Sequence, residues 1–166
     1  MRYKLIFIIF ICLNFILCAS PQKKIEDARN KDPQYQYNMA LFYLNQGNVD
    51  EAIRYLNRAI ELRPRYDLAL YALGLAHSMN GKFEESVKNL QNCLKINPTL
   101  TDAHNALGAV YQEMGQLDKA EEEFKTAILD ENYTSKDNSY YNLARIYLTK
   151  GNLQEALNNV EKALGA

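Results

Sequence analysis

The hydrophobic positions of the chain follow a helical period that stops and restarts at a glycine. Within residues 101–134, apolar side chains recur at helical spacing up to Gly115 and again directly after it. This spacing places them on one face of an α-helix, so the stretch predicts two amphipathic helices joined by a turn. The apolar positions are Ala106, Leu107, Ala109, Val110 and Met114 before the glycine, and Leu117, Ala120, Phe124, Ala127 and Ile128 after it.

The same pattern occurs four times along the chain. The small residues Ala40, Gly74 and Gly108 lie 34 positions apart, and the last copy is displaced by 36, so two extra residues fall within 130–139. One helix pair cannot bury its apolar face alone, and about three stacked pairs are needed for a continuous core. Four copies therefore predict one all-α domain. The predicted repeats are residues 33–66, 67–100, 101–134 and 137–166.

The ends of the predicted helices carry turn and cap signals. Asp32 is predicted to cap the first helix, with Pro33 at the first helical position, where a missing N–H costs nothing. Asp67 and Thr101 are predicted to cap the first helices of repeats 2 and 3. The residue just past a helix end usually has a left-handed backbone, which glycine adopts without a Cβ clash. We expect that conformation at Gly47, Gly81, Gly115 and Gly151.

A helix-turn-helix period of 34 residues with these small and aromatic positions resembles the tetratricopeptide repeat, and the resemblance covers residues 33–166. It implies an all-α, right-handed superhelical solenoid of four repeats, whose first helices line a concave groove. The residues that carry the resemblance are Leu73-Gly74, Leu107-Gly108, Tyr43, Tyr111, Tyr147, Ala59, Cys93, Ala127, Ala163, Pro64 and Pro98.

The resemblance maps a protein-binding groove onto the first helix of each repeat. Tyrosine and leucine dominate this set, and tyrosine offers a flat ring with a hydroxyl, a combination favoured at protein-binding hot spots. Packing between repeats is the alternative for any single member. The mapped residues are Tyr37, Leu41, Leu44, Tyr71, Leu75, Met79, Asn105, Ala109, Gln112, Tyr141, Arg145 and Leu148.

The kind of partner follows from what this groove lacks. Relatives that bind chaperone C-termini carry a clamp of lysine, arginine and asparagine, whereas the matching positions here include Tyr37, Leu41, Asp102 and Ala106. A carboxylate clamp is therefore not expected. We expect the partner to be another protein of the cell envelope that offers an amphipathic helix or an extended apolar segment.

The first 20 residues read as an export signal. A basic start precedes an apolar run, residues 5–17, interrupted only by Asn14. The run is shorter than the ~20 residues of a membrane span and matches the apolar region of a signal peptide. Residues 15–18 resemble a bacterial lipobox, which predicts a lipid on Cys18; ordinary cleavage and an uncleaved anchor are the alternatives. Each places the repeats on the periplasmic side, because the basic start stays in the cytoplasm.

The segment between the leader and the first repeat, residues 21–32, is polar and charged. It predicts a flexible tether that holds the domain at a membrane, and we expect the outer membrane rather than the inner one. A short polar helix supported by Ile25 and Ala28 is the alternative.

The leader, the repeats and the irregular loop, in which Tyr133 precedes Asn142 by nine residues, resemble the tetratricopeptide lipoproteins of type IV pilus biogenesis. That family helps the outer-membrane secretin assemble. An adaptor for an envelope protease or a peptidoglycan enzyme is an alternative function, and a self-associating structural module is another.

Charge and cysteine content exclude several other classes. The formal net charge is −1, and it becomes −3 without Arg2 and Lys4, so no nucleic-acid partner is expected. A mature chain would keep at most Cys18 and Cys93, which cannot form a disulfide framework.

No cofactor, metal site or enzymatic activity is expected, because no phosphate loop, nucleophile elbow or paired-cysteine spacing occurs. His77 and His104 occupy positions that are aromatic or apolar in other repeats, and Cys93 occupies a small packing position. Residues 121–123, three consecutive glutamates, are predicted to lie on a solvated face.

The last helix is predicted to expose Asn158, Asn159, Glu161 and Lys162 as a polar cap. The alternatives for this helix are an open edge and a surface at which a second copy or a partner protein binds.

Overall fold

The computed structural model describes residues 21–165, and every regular element in that part of the chain is an α-helix. A short helix, α1, precedes four helix pairs in which the first helices are α2, α4, α6 and α8. The chain is therefore an all-α repeat solenoid, as predicted. The bounds are α1 Pro21–Asn30, α2 Pro33–Asn45, α3 Val49–Leu62, α4 Asp67–Met79, α5 Phe83–Ile96, α6 Thr101–Glu113, α7 Leu117–Leu129, α8 Lys136–Thr149 and α9 Leu153–Gly165.

The packing of the helices defines an inner and an outer side. Each helix packs against its neighbours in the sequence, and the first helices of successive repeats also contact one another. In the described chain the second helices of successive repeats make no such contact. The first helices therefore lie on the inner, more tightly curved side, and the second helices lie outside.

The turn inside each repeat depends on a left-handed glycine. Gly47, Gly81, Gly115 and Gly151 have φ values of +73°, +69°, +72° and +78°, which confirms the prediction. At the first turn Gly47 N donates to Leu44 O, and Asn48 N donates to Tyr43 O, both at 2.9 Å. These bonds satisfy carbonyls that the helix end would otherwise leave unpaired.

The predicted caps are only partly right. Asp32 caps α2, since its carboxylate accepts from Gln34 N at 2.9 Å, and Pro33 is the first helical residue. Asp67 and Thr101, however, are themselves the first residues of α4 and α6, and no side chain caps either helix.

The side chains of Asp67 and Thr101 have another task. Asp67 accepts from Asn97 Nδ2 at 2.8 Å, and the Thr101 hydroxyl donates to Asp130. Asn97 and Asp130 directly follow the second helices of the same repeats, so each bond joins the start of a repeat to its end. The capping prediction for Asp67 and Thr101 was wrong because the partner of each side chain is about 30 residues away in the sequence, where a local pattern does not reveal it.

A close approach of the two helices forms the core of each internal repeat. A Cβ built on Gly74 would lie 2.6 Å from Leu90 Cγ, and one on Gly108 would lie 2.9 Å from the Phe124 ring. Leu90 and Phe124 are fully buried. The small positions therefore let a large side chain of the second helix pack onto the backbone of the first.

The segment before the first repeat is helical, which was the alternative to the flexible tether. It forms α1, which has no buried residue. Gln36 Nε2 donates to Arg29 O at 3.2 Å, and the Arg29 guanidinium lies 5.8 Å from the Tyr35 ring centre. Ile25 remains 53% exposed, so the helix packs only loosely on repeat 1.

No helix within residues 21–165 is long and apolar enough to cross a membrane. The export signal and the lipidation of Cys18 fall on residues 1–20, outside the described part of the chain.

Candidate functional site

The inner side of the solenoid carries every residue of the predicted groove, because all of them lie on α2, α4, α6 or α8. The structure separates these residues into three groups: exposed apolar side chains, apolar or aromatic side chains packed against the core, and polar side chains that bond across repeats.

Four predicted residues are exposed apolar side chains. Met79, Tyr141 and Leu148 are 61%, 58% and 54% exposed, and Leu41 is 38% exposed. Leu68, which the prediction left out, is also exposed. It occupies the repeat position of Asp102, so the repeat alignment could have identified it. These side chains are available to a partner without rearrangement of the fold.

Four other predicted residues form the wall of the groove. Tyr37 and Leu44 pack against the core of repeat 1, and Tyr71 and Leu75 pack against the core between repeats 2 and 3. The Tyr37 ring lies 5.3 Å from the ring of Tyr66, centre to centre. Because these four side chains also stabilise the fold, replacing them would alter stability as well as the groove surface.

A tyrosine pair faces Asp102 in the middle of the solenoid. Burial, the Asp102 carboxylate and Tyr133 together raise the pKa of Tyr71 to about 12. The pKa of Tyr133 is raised by burial and by the same carboxylate. Tyr133 comes from the irregular loop before α8, so this loop brings an aromatic ring close to Tyr71 and Asp102. Both phenols stay neutral at physiological pH and can donate hydrogen bonds.

The inner faces of repeats 3 and 4 are polar and joined to each other. Asn105 Oδ1 accepts from the Ser139 hydroxyl at 2.9 Å. With its oxygen turned toward Arg145, the Gln112 amide accepts from Nη1 and Nη2 at 3.2 and 3.3 Å. Ala109 is exposed between these bonds. The predicted Gln112 and Arg145 thus contact each other, and Asn105 contacts Ser139, so these three groove residues bond across repeats.

The outer side of the junction between repeats 3 and 4 contains an ion-pair cluster that the sequence did not predict. The Glu121 carboxylate accepts from Lys125 at 2.5 Å, from Lys150 at 2.6 Å and from the Tyr147 hydroxyl at 2.8 Å. Burial alone would raise the pKa of Glu121, but these three hydrogen bonds outweigh it and lower the pKa to about 2.

The prediction that all three glutamates of 121–123 lie on a solvated face is wrong. Glu123 accepts from His104 Nδ1 at 2.7 Å, and only Glu122 is exposed. The helical period turns Glu121 toward the next repeat and Glu123 toward the first helix of its own repeat.

Cys93 and the other histidine, His77, lie in environments that suit packing rather than chemistry. Cys93 is fully buried, and burial raises the pKa of its thiol to about 11, which suppresses the nucleophilic thiolate. His77 has a buried Nδ1 without a hydrogen-bond partner, and burial lowers the pKa of its imidazole. Among residues 21–165, no three histidine, cysteine or acidic side chains are grouped so that they could hold a metal ion.

The described surface therefore offers binding chemistry: exposed apolar side chains, neutral hydroxyls and one guanidinium along the inner side of a helical solenoid. These features define a helical-repeat scaffold for protein–protein interaction. The chain belongs to the tetratricopeptide repeat family, which matches residues 33–99 and 99–166.

Solved structures of several proteins share the fold. MamA is 28% identical with a TM-score of 0.79, over 86% of this chain and 82% of MamA. TTC0263, a thermophilic TPR protein of Thermus thermophilus, is 28% identical with a TM-score of 0.68, over 81% of this chain and 73% of the other. The pilF protein of Pseudomonas aeruginosa is 21% identical with a TM-score of 0.75, over 82% of this chain and 62% of pilF. No protein with a curated description matches the chain.

Proposed function

We propose that the protein is a non-catalytic scaffold of the bacterial cell envelope that binds an apolar helix or extended segment of another envelope protein on its inner side. The observation that carries this proposal is the row of exposed apolar side chains on the first helices, Leu41, Leu68, Met79, Tyr141 and Leu148. Burying such side chains is the main source of affinity in helix-in-groove and extended-segment binding.

The charges of the inner side suggest how the partner lies. Repeats 1 and 2 present the exposed apolar side chains Leu41, Leu68 and Met79, and repeats 3 and 4 add Gln112 and Arg145 to the exposed Tyr141 and Leu148. A partner with an apolar stretch against Leu41 and Met79 and a hydrogen-bonding stretch against Gln112 and Arg145 would satisfy both sets of side chains.

A capture experiment tests the groove. The full-length chain and a Leu41→Glu, Met79→Glu double variant are incubated with envelope extract, and each captured protein is quantified. Both side chains are exposed, so the variant should keep its helix content by circular dichroism. We expect the captured partner to fall about tenfold or more, because each lost apolar contact weakens binding by roughly 1.5–3 kcal/mol.

The control for that experiment is Leu129→Glu. Leu129 is exposed on α7, a second helix, and therefore lies away from the inner side. Equal capture by the double variant and the wild-type chain, or an equal loss in the Leu129 variant, would contradict binding on the inner side.

The envelope location rests on the leader and on Cys18. We propose that Cys18 carries a lipid and that the lipid holds the protein at the periplasmic face of a membrane, the outer one. Cys18→Ser should release the protein into the soluble periplasmic fraction, since one or two acyl chains supply the membrane affinity. Retention of the variant on membranes would indicate an uncleaved anchor instead.

A role in type IV pilus assembly is the second candidate. It is favoured by the sequence resemblance to pilus biogenesis lipoproteins, while the likeness to pilF reaches 21% identity and shows the fold. Deleting the gene should reduce secretin multimers in the outer membrane, measured on unheated gels. Normal multimers together with altered cell-wall cleavage would favour the adaptor for an envelope protease or peptidoglycan enzyme.

A further inference from the structure

The last helix presents an apolar face that no described element covers. We name it the tail face and define it by Leu153, Leu157, Val160 and Leu164 on α9. Leu153 is 70% exposed, Leu157 53% and Leu164 85%. The expected polar cap is incomplete, because Asn159 is buried and its side chain donates to Glu155 O at 2.7 Å.

The other second helices show what normally covers these positions. Leu153 corresponds to Leu117, Phe83 and Val49, which are all partly buried in the cores between helices. Ile53 and Val87 occupy the position of Leu157, and Ile60, Leu94 and Ile128 that of Leu164; they too are packed. In the internal repeats the first helix of the next repeat lies against this side of the second helix. Within residues 21–165, the tail face therefore has the form of an internal junction without the first helix of a following repeat.

The opposite end of the solenoid presents the other half of such a junction. We name it the head face and define it by Met39, Phe42, Tyr43 and Tyr55. Phe42 is 51% exposed, whereas the residues at its position in the later repeats, Ala76, Val110 and Ile146, are buried at 0%, 2% and 1%.

Tyr43 is a second sign of an unfilled junction. In repeats 3 and 4 the corresponding Tyr111 and Tyr147 hydroxyls reach back to Gln91 and Glu121 of the preceding second helix, at 3.0 and 2.8 Å. Tyr43 instead stacks on Tyr55 of its own repeat, with ring centres 5.3 Å apart.

Helix α1 leaves the head face open. It precedes α2 as a second helix would, yet it buries none of its residues. A cleft of about 530 Å³, lined by Ile25, Arg29, Tyr35 and Tyr55 among others, separates it from repeat 1. The contacts of Arg29 are with Tyr35 and Gln36, near the start of α2, while Phe42 lies two turns further along that helix.

The net charges of the two ends do not oppose their pairing. Residues 21–66 contain eight basic and six acidic residues, and the last repeat, residues 137–166, contains three of each. The net charges are therefore +2 and 0, so a head and a tail do not repel each other, whereas two heads carry the same charge.

We propose that the tail face of one copy docks on the head face of a second copy and continues the solenoid with the geometry of its internal junctions. Glu161, at the position of Gln91, then faces Tyr43 of the next copy as Gln91 faces Tyr111. The contact is head-to-tail, so each copy keeps one free end and the assembly grows beyond a dimer. The proposal is independent of partner binding, because neither face includes a residue of the predicted groove.

A complementation experiment tests this. The full-length chain, Phe42→Glu and Leu157→Glu are studied alone and as an equimolar mixture of the two variants by sedimentation velocity over a range of concentrations. Both side chains are half exposed, so the folds should persist, which circular dichroism checks. All samples share residues 1–20, and any association through that segment is the same in each. Leu129→Glu, outside both faces, is the control and should associate like the wild-type chain.

The wild-type chain should form species larger than a dimer as concentration rises, and each variant alone should associate about tenfold or more weakly. The mixture should regain a dimer that does not grow, since it contains one intact tail and one intact head. Three results would overturn the proposal: a monomeric wild-type chain, variants that associate like the wild type, or self-association of Phe42→Glu with none of Leu157→Glu. The last would show tail-to-tail pairing.

Discussion

Repeats 2 and 3 share a backbone plan but differ on the inner side. Both have a first helix of 13 residues, a left-handed glycine turn and a glycine that receives a large side chain of the second helix. At the inner positions repeat 2 has Leu68, Tyr71 and Leu75. Repeat 3 has Asp102, Asn105 and Ala109 at the same positions.

The difference shows which residues the fold requires. Repeat 3 packs fully with polar or small residues on its inner side, so the repeat architecture does not need apolar side chains there. In repeat 2, Leu68 is exposed and therefore free to serve binding, whereas Tyr71 and Leu75 also pack against the core. Repeat 3 instead uses its side chains for bonds to repeat 4, through Asn105 on the inner side and Glu121 on the outer side.

The largest expected effect comes from the shared core. Phe124→Ala in repeat 3 should cost about 3–5 kcal/mol and Leu90→Ala in repeat 2 about 2–5 kcal/mol, because each leaves a cavity against a helix backbone that cannot collapse fully. Denaturant unfolding measures both. A cost below about 1 kcal/mol in either repeat would show that the two cores are not equivalent.

The next effect concerns the charged junction between repeats 3 and 4, where Glu121 accepts from Lys150. Glu121→Gln should lower the free energy of unfolding by about 1–2 kcal/mol at neutral pH, since it weakens charge-assisted bonds at a partly exposed site. Glu122→Gln, the exposed neighbour, is the matched control and should change stability little.

The stability contributed by Glu121 should also depend on pH, and the direction of that dependence can be predicted. The pKa of Glu121 is lowered to about 2 from its ordinary value of 4.5, so its contribution is present above pH 4.5 and is lost as the pH falls toward 2. The Gln variant should lack this acid loss. An unchanged acid profile would mean that other carboxylates cause it.

A smaller effect on stability is expected when an inner residue of repeat 2 is replaced by its counterpart in repeat 3. Leu68→Asp copies Asp102 and should leave stability within about 0.5 kcal/mol, because Leu68 is exposed. Binding of an apolar partner should weaken about tenfold, which is about 1.4 kcal/mol. Affinity for the captured partner can be measured by calorimetry, and unchanged affinity would remove repeat 2 from the proposed site.

The smallest effect is expected when repeat 3 receives a residue of repeat 2. His104→Leu copies Leu70 of repeat 2. The hydrogen bond to Glu123 raises the pKa of His104 above 6.5, so the protonated ring stabilises the fold fully below pH 6.5, and this is lost as the pH rises through the folded pKa. The wild-type chain should be more stable at pH 6 than at pH 8 by less than roughly 1 kcal/mol. The variant should lose that difference in matched thermal melts.

The sequence predicted the parts of this structure that repeat. The period of 34, the helix pairs and the glycine turns all depend on residues that lie close together in the sequence, and a helical pattern encodes these directly. Contacts between residues far apart in the sequence were harder to predict. The roles of Asp67, Thr101 and Glu121 were missed because each pairs with a residue 26 to 30 positions away that no local pattern links to it.

The candidate site was predicted as a list of positions, without the distinction that decides its use. Periodicity places Leu75 and Met79 on the same side of a helix, but only the neighbouring helices determine that Leu75 packs while Met79 stays exposed. The role of each groove residue in binding stays a prediction.

The arrangement of contacts between helices also affects how fast the chain folds. Every helix of the described chain touches only its sequence neighbours or the first helix of the next repeat. No strand or helix must therefore find a distant segment, and the search for the native contacts is local. Helical proteins with such contacts fold in microseconds to milliseconds. Because each repeat needs only the one before it, folding can advance as the chain emerges during synthesis, and little of its apolar surface then waits uncovered.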